Sequence, residues 1–217
     1  KAVDSGKDKA LTYQHKGDSK WFAGYVDLPG KLNDKFQTDA NTVASLEFLL
    51  GGRVGINKNS IIEITSETSV SDKKTKVKRI NLKQGGMWAK TVNLKEPLEI
   101  QTNGGVMGIK GTEFAIDTQP GGDTTVAVLE GAVEVHDNTG KVVGQAKPGD
   151  KYTIPFKGVP TVKTYESQSQ LRDELKQSTY RDIDQAFNWA TTALSWTGIN
   201  TGAFGYYSYY GRGLVQL

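Results

Sequence analysis

From about Leu11 to Pro160 the apolar residues come in short runs closed by turn signals, the lengths and punctuation of strands. Val43 to Leu50 runs into Gly51-Gly52, and Arg53 to Ile56 runs into Asn57-Lys58-Asn59. Ser60–Thr65, Lys76–Leu82, Met87–Val92, Leu98–Thr102, Thr112–Ile116, Thr124–Leu129, Ala132–His136, Lys141–Ala146 and Lys151–Ile154 continue the series. No helical period interrupts it, which predicts an all-β sandwich or barrel-like fold.

After Pro160 the pattern changes. Between Ser167 and Ser195 there is no proline, and Ile183, Phe187, Ala190 and Leu194 recur at a spacing that places them on one helical face. Leu171 and Leu175 extend the stripe, and Ser167 with Gln170 has the form of a capping box. This predicts a helix, or two with a break near Ser178-Thr179. The last segment sets Phe204, Tyr206, Tyr207, Tyr209 and Tyr210 among glycines, a composition that builds no core of its own but suits an added strand or a groove. The expected division is a β-domain over residues 1–160 and a helix with a Gly/Tyr-rich tail over 161–217.

Composition narrows the chemistry. The 217 residues carry a net charge of +3, too little for a dedicated polyanion binder, and no run is long and apolar enough for a membrane span. There are no cysteines, so disulfides, thiolate metal sites and cysteine nucleophiles are excluded. A start at Lys1 without methionine fits a processed, exported protein, and an extracytoplasmic location is expected.

The stretch from Ile100 to Ile116 holds four glycines and ends in a strand pattern. A phosphate-binding loop needs a helix directly after its glycines, and Gly104, Gly105, Gly108 and Gly111 match neither of the usual spacings. The expected roles are backbone ones: a turn at Asn103-Gly104, a close approach at Gly108, and a bulge at Gly111 with positive φ.

Ile109-Lys110-Gly111-Thr112-Glu113-Phe114-Ala115-Ile116, then Val126 to Val135 with Leu129-Glu130-Gly131, then Lys147-Pro148-Gly149-Asp150, resemble the FecR domain family. Trp21, Leu32 to Thr38 and Ala44 to Val54 are similar to its opening pattern, with Asn33-Asp34 and Gly51-Gly52 departing from it. The resemblance runs from about Tyr13 to Ile154. It implies a β-rich extracytoplasmic domain in which Gly104, Gly108, Gly111, Thr112, Phe114, Glu130, Gly131 and Gly149 are structural rather than catalytic. Sensory members of the family control a sigma factor and contact an outer-membrane receptor. With no membrane span and a different carboxy-terminal part, the resemblance carries over the domain and not the sensor role.

Candidate chemistry is sparse. His15 and His136 are the only histidines, and the turn at His136-Asp137-Asn138 reads as a solvated polar cluster. Asp117, Asp123 and Asp137 lack the calcium-loop spacing. Glu47, Glu63, Glu99, Glu113 and Glu134 alternate with apolar residues and read as a solvated sheet face paired with lysines. Lys73 to Arg79 reads as a charged edge strand. A carbohydrate-binding alternative would need Trp21, Trp88 and Tyr25 in one groove.

Ile183, Phe187, Trp189, Trp196, Phe204, Tyr206, Tyr207, Tyr209 and Tyr210 are the candidate interaction residues, packing either on their own β-domain or on a neighbouring subunit. The leading expectation is a non-enzymatic module without cofactor or metal. It would self-associate as a subunit of a surface or extracellular filament, bind no nucleic acid, or else bind an envelope protein. The alternative is an envelope sensory or regulatory protein of FecR type that binds a receptor or ligand.

Overall fold

The computed structural model describes residues 11–24, 28–47, 53–70, 74–91, 98–109 and 111–177, with one further strand at 213–216. In chain order the strands are β1 (Leu11–Gln14), β2 (Phe22–Ala23), β3 (Leu28–Pro29), β4 (Lys35–Thr38), β5 (Ala44–Glu47), β6 (Arg53–Ile56) and β7 (Ile61–Thr68). They continue as β8 (Lys76–Lys90), β9 (Leu98–Gln101), β10 (Val106–Ile109), β11 (Glu113–Thr118), β12 (Thr124–Glu130), β13 (Val133–His136), β14 (Val142–Ala146), β15 (Asp150–Ile154) and β16 (Thr161–Thr164). Helix α1 (Gln168–Gln177) follows, and β17 (Gly213–Gln216) lies near the carboxy end.

Two sheets share one long strand. The first runs β2-β1-β4-β7-β8-β9-β10-β13-β14. The second runs β3-β17-β5-β6-β8-β11-β12-β15-β16. Pairing is antiparallel except where β8 meets β9 and where β17 meets β3 and β5.

β8 makes the corner. Its residues up to Gln84 pair with β7, and those from Gly85 pair with β11. The sequence pattern divides this stretch in two at Lys83–Gly86, but the backbone passes through it unbroken. Gly85 has φ of +84°, and a Cβ there would fall 2.2 Å from the Ser60 hydroxyl. That hydroxyl accepts the Gly86 N–H at 3.0 Å, so glycine both turns the strand and lets the neighbouring chain fasten it.

The main core lies between the sheets, built from Phe36, Leu46, Ile56, Ile62, Ile80, Met87, Phe114, Val128 and their neighbours. A second cluster covers the outer face of the second sheet, where Val43, Trp88, Ala115, Ala127 and Leu129 meet Leu171 and Leu175 of α1. The central strands of the second sheet are therefore buried on both sides. This explains why Phe114-Ala115-Ile116 and Val126 to Leu129 are continuously apolar instead of alternating.

Two sequence expectations are corrected. Lys76 to Arg79 are not an edge: this part of β8 sits between β7 and β9. Glu99 and Glu113 are not on a solvated face, being 2% and 4% exposed, although Glu63 does lie 3.9 Å from Lys83 as expected of an outward pair.

Candidate interaction face

The outer face of the second sheet is where a separate element docks. Ser167 caps α1 by accepting the Gln170 N–H at 3.2 Å, while the Gln170 side chain turns to Glu166, so the predicted capping box closes in one direction only. Leu171 and Leu175, one turn apart, enter the apolar patch around Trp88 as the stripe predicts.

Polar contacts orient the helix at that patch. Arg172 Nη1 is 2.9 Å from Glu113 Oε1, Lys90 Nζ is 3.3 Å from Oε2, and Trp88 Nε1 donates to Oε1 at 3.3 Å. Burial pushes the Glu113 carboxyl up, but Arg172 and then Lys90 outweigh it and hold it below the usual carboxylate range. On the other flank Lys151 donates to Glu174 Oε1 at 2.8 Å and the Tyr165 hydroxyl donates to Oε2. Both lower the Glu174 carboxyl.

A second buried charge centre lies on the first sheet. Arg79 reaches Glu99 Oε2 through Nε at 3.1 Å and Nη2 at 2.6 Å, and Nη2 also donates to the Thr68 carbonyl. Ser69 Oγ and the Val70 N–H supply Glu99 Oε1 at 2.8 and 2.9 Å. The four donors satisfy a carboxylate that the fold has removed from water. The sequence signal was slight: Arg79 is the arginine among the lysines of its run, and arginine suits forked, buried pairing.

Three of the motif glycines lie in the left-handed backbone region that favours glycine. Gly111 and Gly131 have φ of +62° and +75°, and Gly149 has +91°. Gly108 lies in β10, opposite Glu99 on one side and Glu134 on the other. A Cβ at Gly104 would fall 3.2 Å from Ile154, Thr112 donates its N–H to Thr91 Oγ1 at 3.0 Å, Phe114 is fully buried, and Glu130 is exposed at the end of β12.

Other expectations divide. His136 is 2% exposed, with Nε2 at 2.6 Å from Glu134 Oε1, so it is a buried strand residue and not a solvated turn. Asp137 instead holds that turn through Thr139 and Lys141. Trp88 lies under α1 and lines no open groove, which removes the glycan-binding arrangement. Among the described residues no group of three or more His, Asp or Glu converges as metal ligands would. Ile183, Phe187, Trp189, Trp196, Phe204, Tyr206, Tyr207, Tyr209 and Tyr210 lie outside the described residues.

No curated protein matches the chain. Two crystal structures from Parabacteroides distasonis, each provisionally described as an anti-sigma factor, share its fold at 14% identity. One aligns with a TM-score of 0.52 over 83% of this chain and 97% of that one, the other with 0.50 over 62% and 61%. The family model described as "FecR protein" matches residues 34–134, which takes in the β4 strand, the β8 corner, the Gly111 motif and the β12–β13 hairpin. This overturns the expectation of a filament subunit: the match points to the sensory and regulatory proteins of that family. From Asp34 to Glu134 the chain matches the FecR family.

Proposed function

We propose that this chain is the extracytoplasmic part of a FecR-type regulatory protein, a non-enzymatic module that binds an envelope partner and passes that state on. The family match across the core of the sandwich carries the reading. The fold shared with proteins provisionally described as anti-sigma factors supports it. The described residues support it too, because their charged groups hold elements together: Glu113 fastens α1 and Glu99 fastens the β7–β8 hairpin to β9.

The test is transcriptional. Removing the coding region for residues 11–177 from the chromosome changes the transcript levels of a limited gene set, and restoring it returns them. Transcript levels that stay the same across envelope stress and nutrient conditions defeat the regulatory reading.

A further inference from the structure

β16 ends the second sheet. Among the described residues it pairs with β15 alone, and all four of its residues are exposed. The phase of the ladder decides which backbone groups stay open. Tyr165 N–H donates to the Gly149 carbonyl at 2.9 Å, and in an antiparallel pair bonded and unbonded positions alternate. Lys163 and Thr161 therefore turn their N–H and C=O groups to β15, and Val162 and Thr164 turn theirs to the open side.

Val162 is the one apolar side chain of this edge strand, and Phe156 and Val159 at the hairpin tip add to it where an edge is ordinarily guarded. Val162 stands opposite Tyr152, whose hydroxyl donates to the Val143 carbonyl of β14 across the mouth of the sandwich. Val162 is 52% exposed, and the tip of the β15–β16 hairpin exposes Phe156 at 51% and Val159 at 82%. Lysine at a strand edge commonly repels a second strand. Here Lys163 lies on the sheet's outer face, 2.9 Å from the Tyr165 hydroxyl and 3.7 Å from Glu174, and leaves the edge unguarded.

Charge stands at the two ends. Lys157 is exposed at the hairpin tip. Lys147 is exposed beside the other end, where Asp150 takes both the Lys147 N–H and the Thr164 hydroxyl. Asp150 is buried by those bonds, Asp123 is engaged by the Phe156 N–H at the hairpin base, and Glu166 past the strand is engaged by Gln170, which leaves Lys157 and Lys147 as the exposed cations at the two ends.

We infer that β16 is a strand-acceptor edge that takes an extended segment of a partner protein, apolar at alternate positions and acidic at its ends. Main-chain bonds to Val162 and Thr164 hold the segment, its apolar side chains cover Val162 and the hairpin tip, and Lys157 and Lys147 fix its register. The inference rests on the reading of the domain as a binding module and names where that module binds.

The test selects binders from a random dodecapeptide library displayed on phage against the full chain and against V162P. Val162 N–H is not a rung of the β15–β16 ladder, so proline there removes a donor from the open edge alone. The expected peptides alternate apolar residues between Asp or Glu ends, bind V162P at least about tenfold more weakly, and slow hydrogen exchange at the Val162 and Thr164 amides. Should V162P not fold, the pair F156S/V159S at the hairpin tip serves in its place, with the same loss expected. Peptides that bind both proteins equally overturn the edge assignment while leaving a binding module in place, and a selection without enrichment overturns it as well. A concentration-dependent dimer of the full chain that V162P abolishes would assign the edge to a second copy and overturn the partner segment. The regulatory reading stands or falls separately, on the transcript measurement.

Discussion

Arg172 on α1 lies 2.9 Å from Glu113 on β11, and the carboxylate it meets has a side chain only 6% exposed. Far apart in sequence, the two join the helix to the sheet next to Trp88, over whose ring the guanidinium sits at 5.8 Å. An apolar patch alone would accept a helix in several rotations. This pair, with Glu174 and Lys151 on the other flank, selects one.

Arg172→Leu should loosen α1 without unfolding the sandwich, because Lys90 still meets Glu113. The expected cost is about 1–2 kcal/mol, reduced by the partial exposure of Arg172. The pH dependence has a defined sign: Glu113 is held below its ordinary value of 4.5, so its contribution is complete above that value and is lost as pH falls through the lowered one. Tryptophan emission followed from neutral to acid pH should therefore shift below about pH 4.5, and the shift should weaken in Arg172→Leu. An unchanged acid transition in the variant would contradict the pairing.

Leu171→Ala removes a fully buried side chain from the same patch and should cost about 2–4 kcal/mol of helix docking. Trp88 is then hydrated from above. Urea unfolding read by tryptophan emission should show an early transition absent from the unaltered chain, and a single unshifted transition would contradict it.

Gly111 and Gly131 both have positive φ, yet substitution should separate them. A Cβ at Gly111 meets no atom within 4 Å, so Gly111→Ala bears the backbone penalty alone, about 1–2 kcal/mol. At Gly131 the added carbon would lie 2.5 Å from the Gly111 carbonyl oxygen, and Gly131→Ala should cost at least about 3 kcal/mol. Equal losses in thermal melts would contradict the tight crossing of these two turns.

Arg79→Met strands the Glu99 carboxylate inside the protein and should cost about 3–5 kcal/mol. Adding Glu99→Gln to it removes the stranded charge while keeping an acceptor for Ser69 and Val70, and should recover most of the loss. Chemical denaturation of the two variants decides the point, because a double variant no more stable than the single one rules out a charge-pair origin.

What the linear chain determined by itself is local. Short apolar runs closed by glycine, asparagine and proline specify strands because their period and turn chemistry act over a few residues, and the positive φ at Gly111 follows from the same local rule. The Leu171–Leu175 stripe likewise marks the buried side of α1 before any partner is known. Pairing across the fold could not be read in this way. Lys76 to Arg79 looks like a guarded edge, and Glu113 like an outward carboxylate, until β9 closes beside one and α1 descends on the other. Burial and charge pairing depend on which strands become neighbours. That is set by long-range packing of both faces of the second sheet, and it is the reason Trp88 ends beneath a helix rather than in an open groove.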